Sequence, residues 1–402
     1  MDSRQIRVIA FYLPQFYAFP ENDAWWGKGF TEWTNVRKAK PLYRGHYQPT
    51  VPLNGNYYSL EDPETMKRQA ETAKAYGLYG FCFYHYWFGE GRKLMEKPVE
   101  NYLRHPEIDF PYCLCWANHN WTRTWIGGES DMLMEVRYGG REEWEAHFRY
   151  LLPFLRDPRY IRMDGKPVLV LYQPQNIPCL GEMIPFLQSR AREEGLGGLT
   201  VIAQAMFGKV PEETEAAVQY RIEYEPNYSR SRAGEKKAEA WRVSPRFQAD
   251  LRLYGLKGRI KNLTKGKLCR YRTYSYDAIW QYILRRKPED RKSLAGAFVR
   301  CDVTPRRQER ALIYKGATPG KFAEYMKRLA EKVRREYAEP YIFLSAWNEW
   351  GEGMYLEPDE KDGYRYLEGV RDAVQGRNTV QDSQEAAPHA GQDSLEKPAK
   401  GL

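Results

Sequence analysis

Tyr341-Ile342-Phe343-Leu344-Ser345-Ala346-Trp347-Asn348-Glu349-Trp350-Gly351-Glu352-Gly353 is the stretch on which the reading of the fold turns. Its first six residues form a short, near-continuous apolar run, as expected of a strand buried on both faces of a parallel sheet. Its last seven place two carboxylates, two indoles, an amide and two glycines directly beyond that strand.

Working outward, seven similar runs precede it: Arg7–Tyr12, Tyr79–Tyr84, Tyr112–Trp116, Pro167–Tyr172, Thr200–Gln204, Val218–Tyr224 and Ala297–Asp302, with Tyr341–Ala346 as the eighth. Helical patterns separate them. Asp62-Pro63 and Thr318-Pro319 both read as a side-chain cap followed by proline at the first helical position. Phe322, Met326, Leu329 and Val333 then mark one apolar face. Further helices are expected over Glu142–Leu155, Glu182–Glu194 and Asp362–Val374. Eight strands alternating with helices predict an α/β chain folded as a single (β/α)8 TIM barrel over residues 1–375, with long strand-to-helix loops.

Two segments fall outside the repeat. Between Arg230 and Lys292 there are 19 Lys/Arg against 6 Asp/Glu, so the net +9 of the chain belongs to this stretch and the remainder is slightly acidic. Residues 229–292 are therefore expected to be a basic insertion carrying one helix near Asp277–Arg286. Residues 376–402 hold almost no apolar side chains, cannot offset their ordering entropy by burial, and are expected to be a disordered polar tail.

The same composition limits the function. Tyr and Trp, 31 and 12 in number, exceed what a barrel needs for packing, and flat rings with polar tips suit faces that stack on sugars. Six cysteines lack close-set pairing, and Cys82, Cys113, Cys115 and Cys301 fall in strand-like runs, so reduced, buried thiols are expected. No run approaches a membrane span, and the first strand opens too close to Met1 for a secretory signal. The expected setting is cytoplasmic, with peripheral contact to an anionic membrane through 229–292 as one use of the basic segment. Nucleic-acid binding would rest on that segment alone and is not expected.

A β/α barrel builds its site from residues just beyond the strands. Beyond or at the end of strand one lie Tyr12 and Gln15, then a long loop with Trp25, Trp26, Glu32, Trp33 and His46. Strand two leads into His85-Tyr86-Trp87 and strand three into Trp116, Asn118, His119 and Trp121. Strand seven ends in Asp302 with Arg306 nearby, and strand eight in Trp347, Asn348, Glu349, Trp350 and Glu352. Glu349 and Glu352 are the candidate catalytic pair. Residues three apart in a turn face the same way, and glycosidic chemistry requires two neighbouring carboxyls, one of which keeps its proton near neutrality. The others are candidate substrate contacts.

Blander readings stand beside these. A bare Glu-x-x-Glu pair is most often two surface glutamates, His85 reads equally as a buried structural histidine, the tryptophans as core, and Asp302 as a partner for Arg306. His46, His85, His119 and Asp302 share no metal-ligand spacing, so neither a metal nor any other cofactor is expected.

Taken together, Phe11-Tyr12-Leu13-Pro14-Gln15-Phe16, Glu21-Asn22-Asp23, Trp26-Gly27-Lys28-Gly29-Phe30-Thr31-Glu32-Trp33-Thr34-Asn35, Phe83-Tyr84-His85-Tyr86-Trp87-Phe88, Trp116-Ala117-Asn118 and Trp347-Asn348-Glu349-Trp350 resemble the WbsX proteins, which are similar to glycoside hydrolase family 99. The resemblance covers roughly residues 5 to 370. It implies a (β/α)8 barrel encoded among genes for bacterial surface polysaccharide such as O-antigen or capsule. By the analogy to family 99 endo-α-mannosidases, Glu349 would deprotonate a sugar 2-hydroxyl that attacks the anomeric carbon to give a 1,2-anhydro sugar. Glu352 would act as general acid and then base. The chain departs from the WbsX pattern at His119, Ile126 and Val303, where a glutamate, an acidic residue and an asparagine are expected.

Three functions follow. The first is a retaining glycosidase or transglycosidase acting on a mannose-like glycan. The second is a glycosyltransferase in lipopolysaccharide synthesis using an activated or lipid-linked donor, although no Gly-rich phosphate loop is present. The third is a non-catalytic glycan-binding protein, which retention of both glutamates weighs against.

Overall fold

The structure, a computed structural model, describes residues 4–122, 131–206, 210–235 and 271–376. Eight parallel strands form a closed ring: β1 Arg7–Tyr12, β2 Gly80–Gly89, β3 Tyr112–Trp116, β4 Lys166–Leu171, β5 Thr200–Ala205, β6 Tyr220–Glu223, β7 Ser293–Phe298 and β8 Tyr341–Ser345. Each pairs with its sequence neighbour, and β1 closes the ring on β8 through Arg7↔Tyr341 to Ala10↔Leu344. The outer layer is α1 Pro63–Ala75, α2 Lys97–Arg104, α3 Arg141–Arg156, α4 Leu180–Glu193, α5 Glu212–Ala217, α6 Tyr276–Arg285, α7 Pro319–Glu336 and α8 Arg365–Gln375. The fold is thus the expected (β/α)8 barrel.

The helix starts follow their sequence signals. Asp62 accepts from the Glu64 amide with Pro63 at the first helical position, and Thr318 caps α7 by accepting from the Lys321 amide. Strand alternation sorts side chains into two cores. Phe11 points into the barrel, where it stacks on Tyr84 and meets Tyr224 edge-on at 5.3 Å. Tyr12, next in sequence, faces the helices and packs on Phe81 and Phe83.

One strand differs from its expected position. β7 spans Ser293–Phe298, four residues earlier than the Ala297–Asp302 reading. Its small residues give little β-branched signal, whereas Val299 and Cys301 drew the assignment downstream. Gly296 has a steric cause: a Cβ there would lie 1.7 Å from the Glu223 carbonyl oxygen of β6. The shift leaves Asp302 beyond the strand, free to join the loops at the barrel mouth.

Within 229–292, residues 236–270 lie outside the described set, while Tyr276–Arg285 is α6, the crossover helix between β6 and β7. Ser275 caps it. The part of that stretch standing outside the barrel repeat is therefore narrower than the charge count suggested. Residues 377–402, where the polar tail was expected, lie outside the described set. Among the described residues, no helix is long and apolar enough to cross a membrane, and Cys82, Cys113, Cys115 and Cys301 are buried free thiols.

Candidate active site

Beyond β8 the chain makes a two-residue rung, Asn348–Glu349 against Met354–Tyr355, closed by a 3-10 turn over Trp350–Glu352. Gly353 ends the turn at φ 62°, the left-handed region, with the Asp302 amide nitrogen 2.9 Å from where a Cβ would stand. This compact turn directs Glu349 and Glu352 to the same partner. Arg306, buried in the short helix Thr304–Arg307, donates from Nη2 to Glu349 (2.9 Å), from Nη1 to Glu352 (2.5 Å) and from Nε to Glu32 (2.9 Å). Three carboxylates therefore share one guanidinium, whose planar fork fixes their geometry.

Gly351 makes this arrangement sterically possible. A Cβ at that position would fall 1.5 Å from Glu32 Oε1 and 2.8 Å from Arg306 Nε, so any side chain there would displace the Glu32–Arg306 pair.

Charge and burial then assign a proton. Burial, reinforced by Glu352 and Glu32 and opposed by Arg306, pushes the Glu349 carboxyl up to about 8. Glu349 is thus a carboxyl whose protonated form burial favours, and it is the residue that the family analogy casts as the base. Glu352 keeps 29% of its side chain exposed and is the more open of the two. The pair thus presents one sealed and one accessible carboxyl.

Tyrosines surround it on the barrel side. Tyr84, Tyr86, Tyr172 and Tyr224 all lie within electrostatic reach of Glu349, and Tyr172 and Tyr224 of Glu352 as well. The Tyr84 and Tyr224 hydroxyls are 3.4 Å apart. From Tyr86 an aromatic ledge continues to Trp121 at 5.5 Å and from there to Trp25 at 5.7 Å, while His119 lies against Tyr172 at 5.0 Å. Burial lowers the His119 imidazole to about 4, so it is neutral at physiological pH.

Beside the turn, the Asp302 amide donates to the Glu352 carbonyl. The Leu42 amide donates to His46 Nδ1, which leaves the ring proton on Nε2, 2.6 Å from Asp302 Oδ2. Burial opposes ionisation of Asp302, but hydrogen bonds from His46, Thr304 and Gln48 outweigh it and hold the carboxyl below its usual range. Asp302 thus pairs with His46, and Arg306 is engaged by the glutamates.

Of the residues expected at the site, Glu32, Tyr86, Trp121, Arg306, Glu349 and Glu352 come together, with His46 and Asp302 alongside. Gln15 lies at the edge of this group: its carbonyl accepts the Glu32 amide and its side chain reaches toward Asn22.

Others are placed elsewhere. Tyr12 donates to Gln69 of α1. His85 shares a 3.0 Å hydrogen bond with His147 of α3, Trp87 donates to Glu143, and Trp116 donates to the Trp87 carbonyl. All four face outward, because alternation sends every second residue of a barrel strand toward the helices. His85 is therefore a buried packing histidine, lowered by burial to about 3.

Trp33 packs among Phe16, Tyr58 and Trp350, and Trp26 against Phe30. Trp347 packs on Phe81 and Trp350 stacks on Tyr355 at 3.7 Å. Asn348 accepts from the Leu13 amide and donates to the Leu13 carbonyl; Asn118 does the same to Gln173. These amides join neighbouring loops. Val303 contributes its backbone at the start of the Arg306 helix, and Ile126 lies outside the described residues.

Tyr84, Tyr172 and Tyr224 were missed. Residues beyond each apolar run do not include them, because these phenols are the inward-facing residues at or near the ends of the runs. Counting back by two from Tyr86 finds Tyr84.

Comparison with known proteins adds to this geometry. Residues 8–370 match the family described as Glycosyltransferase WbsX. Two curated relatives called uncharacterized protein WxcX, from two strains of Xanthomonas campestris pv. campestris, are 32% identical over 369 residues, 91% of this chain and 49% of theirs. The chain thus spans about half the length of the curated relatives it matches. The barrel is similar to the GH99 endo-alpha-mannosidase of Bacteroides thetaiotaomicron, at TM-score 0.51 and 15% identity over 92% of this chain and 97% of that one. A structure titled glycoside hydrolase-like protein gives TM-score 0.52 at 14% identity, covering 92% and 94%.

Proposed function

The chain belongs to the WbsX family, carbohydrate-active proteins on a glycoside hydrolase family 99-like barrel, and from that premise we propose that it is a retaining glycosidase or transglycosidase acting on a mannose-like residue of a bacterial surface polysaccharide. One observation carries the reading: Glu349 and Glu352 share a single buried guanidinium at the carboxyl end of β8, one sealed and one partly open. Two carboxyls so placed, with one proton between them, meet the chemical demand of acetal cleavage.

In this reading the aromatic ledge of Tyr86, Trp121 and Trp25 stacks on the glycan. Substrate binding brings the proton to Glu352, which protonates the leaving oxygen. Glu349, now ionised, takes the proton of the sugar 2-hydroxyl as its oxygen attacks the anomeric carbon. Glu352 then removes a proton from the incoming water or sugar hydroxyl as its oxygen attacks the anomeric carbon, the bond from that carbon to the 2-oxygen breaks, and Glu349 returns its proton to the 2-oxygen. Arg306 and Glu32 hold the two carboxyls in register throughout.

The family description favours transfer as the second reading, with a sugar hydroxyl in place of water and a lipid-linked or otherwise activated donor. The basic stretch 229–292 would then meet the anionic part of the donor or the cytoplasmic membrane face. Salt-sensitive sedimentation with anionic liposomes, lost on deleting 236–270, tests that contact.

For the carboxylates, Glu352→Gln should lower kcat on an activated glycoside by about 10³-fold while glycan binding is retained. Turnover unchanged by that substitution removes Glu352 from the mechanism. Products from native O-antigen or capsule fragments, resolved by mass and linkage, distinguish hydrolysis from transfer. Binding with no turnover of any glycan or donor would leave the glycan-binding reading.

A further inference from the structure

Asp302 does more than pair with His46. Its carboxylate offers about four lone-pair directions, and four donors fill them. On Oδ2 these are His46 Nε2 at 2.6 Å and Gln48 Nε2 at 2.8 Å; on Oδ1 they are the Thr304 amide at 3.0 Å and Thr304 Oγ1 at 2.5 Å. No direction is left for a substrate hydroxyl. An asparagine would keep one acceptor oxygen and turn N–H groups toward the other two donors, so the position calls for a carboxylate. Burying that charge is costly unless its hydrogen bonds are complete, as they are here.

These bonds join separate parts of the mouth. Thr304 opens the short helix Thr304–Arg307, so Oδ1 caps the element from which Arg306 reaches Glu32, Glu349 and Glu352. His46 and Gln48 belong to the loop after β1. That loop closes on the imidazole through the Leu42 amide, 3.0 Å from Nδ1, and through Tyr43, stacked on the ring at 4.4 Å. The main chain of Asp302 makes the last connection, its amide donating to the Glu352 carbonyl at 2.7 Å. The residue has a firm footing, because on either side of it the Cys301 carbonyl accepts from the Tyr314 amide and the Val303 amide donates to the Leu312 carbonyl.

We propose that Asp302 is a positioning residue for the acid and base: gripped by His46, Gln48 and Thr304, it aims Glu352 through its main-chain amide and Arg306 through the cap. Asp302 has this role only if Glu349 and Glu352 are the reacting pair proposed above. His46 and Asp302 then support the pair instead of touching the glycan. Misplacing reacting groups by about 1 Å costs on the order of 10²-fold in rate, so a residue that meets no substrate can weigh on kcat and leave KM alone.

The test uses the full chain and a nitrophenyl mannoside. Asp302→Asn should lower kcat about 10²-fold with KM within about threefold. If that variant does not fold, Thr304→Val, which removes one of the four donors, should lower kcat about tenfold. His46→Leu should also lower kcat about tenfold, and His46→Gln, which restores an N–H donor, should recover most of the loss. Unchanged kinetics overturn the proposal, as does a raised KM with kcat kept, which would make Asp302 a substrate contact. A readout without turnover separates this role from the chemistry of the pair. Arg306 opposes the rise of the Glu349 carboxyl, so slackening its helix in Asp302→Asn should move the Glu349 titration midpoint further up. Carbon-13 NMR of the glutamate-labelled chain, assigned with Glu349→Gln, follows that midpoint. An upward shift in a chain that turns over no glycan would sink the glycosidase reading and still leave Asp302 aiming the carboxyls. An unmoved midpoint overturns the role of Asp302 whatever the turnover.

Discussion

Two buried arginines in this barrel sit among glutamates, and they do opposite things. Arg306, at the mouth, serves Glu32, Glu349 and Glu352, a set carrying two more negative charges than positive if all ionise, with Glu352 open to the barrel entrance. Arg286, between β6 and the helices, pairs with Glu223 and Glu225, whose side chains are sealed. Lys332 adds a second cation there, donating to the Ile283 and Arg286 carbonyls. The outer cluster balances and closes, which suits holding α6 and α7 to the barrel. The mouth cluster is over-supplied with carboxylates and left open on one side; burial raises one carboxyl in each cluster, Glu225 to about 7 and Glu349 to about 8.

Removing the cations should separate the two most strongly. Arg306→Met and Arg286→Met each leave buried carboxylates without their partner and should cost about 3–5 kcal/mol in urea unfolding. In the fraction that remains folded, only Arg306→Met should also lower kcat, by about 10²-fold or more, because the carboxyls lose their register. Equal kinetic effects would erase the distinction.

Next in size is Gly351→Ala. Its methyl group occupies the position of Glu32 Oε1, so the expected outcome is a fall in kcat of about 10²-fold with the circular dichroism spectrum preserved.

Proton bookkeeping gives the third contrast. If the reaction needs the proton that Glu349 holds, kcat/KM should fall above about pH 8 as Glu349 loses it. Stability carries the same sign. Native Glu349, raised from an ordinary 4.5 to about 8, keeps a proton that the unfolded chain has released. Its contribution is full below pH 4.5 and is lost as pH rises through 8. Wild type should therefore lose about 1–3 kcal/mol more than Glu349→Gln between pH 5 and pH 9, measured by urea midpoints.

The smallest effects come from single hydroxyls. Tyr224→Phe, facing the pair, should reduce kcat/KM about tenfold with little change in stability. Tyr337→Phe removes the 2.6 Å bond to Glu223 and should cost about 1–2 kcal/mol with kinetics intact.

How far the sequence could be read follows from which physical signal each feature leaves. The ring of strands was legible because a strand buried on both faces must be apolar throughout, and caps such as Asp62-Pro63 mark helices locally. β7 was displaced because Ala and Gly carry little strand signal, although Gly296 is dictated by the backbone it touches. At the site, Glu349 and Glu352 were legible from spacing and Arg306 from its position past strand seven. Its three-way sharing was not legible, since Glu32 joins it from 274 residues away. His85, Trp87 and Trp116 were misplaced for a simpler reason: they are polar or aromatic residues near strand ends, but of the wrong parity. Tyr84 and Tyr224 have the right one.

Asn118 and Asn348 carry a consequence of their own. Each uses its carboxamide as a peptide group would, giving and receiving one hydrogen bond with the main chain of an adjacent loop, so the circumference of the barrel gains an extra stitch above the last regular strand pairing. Loops anchored in this way have fixed roots whatever their tips do. Such a collar leaves the tips of these loops able to change in length and sequence while Glu349 and Glu352 beneath them keep their aim.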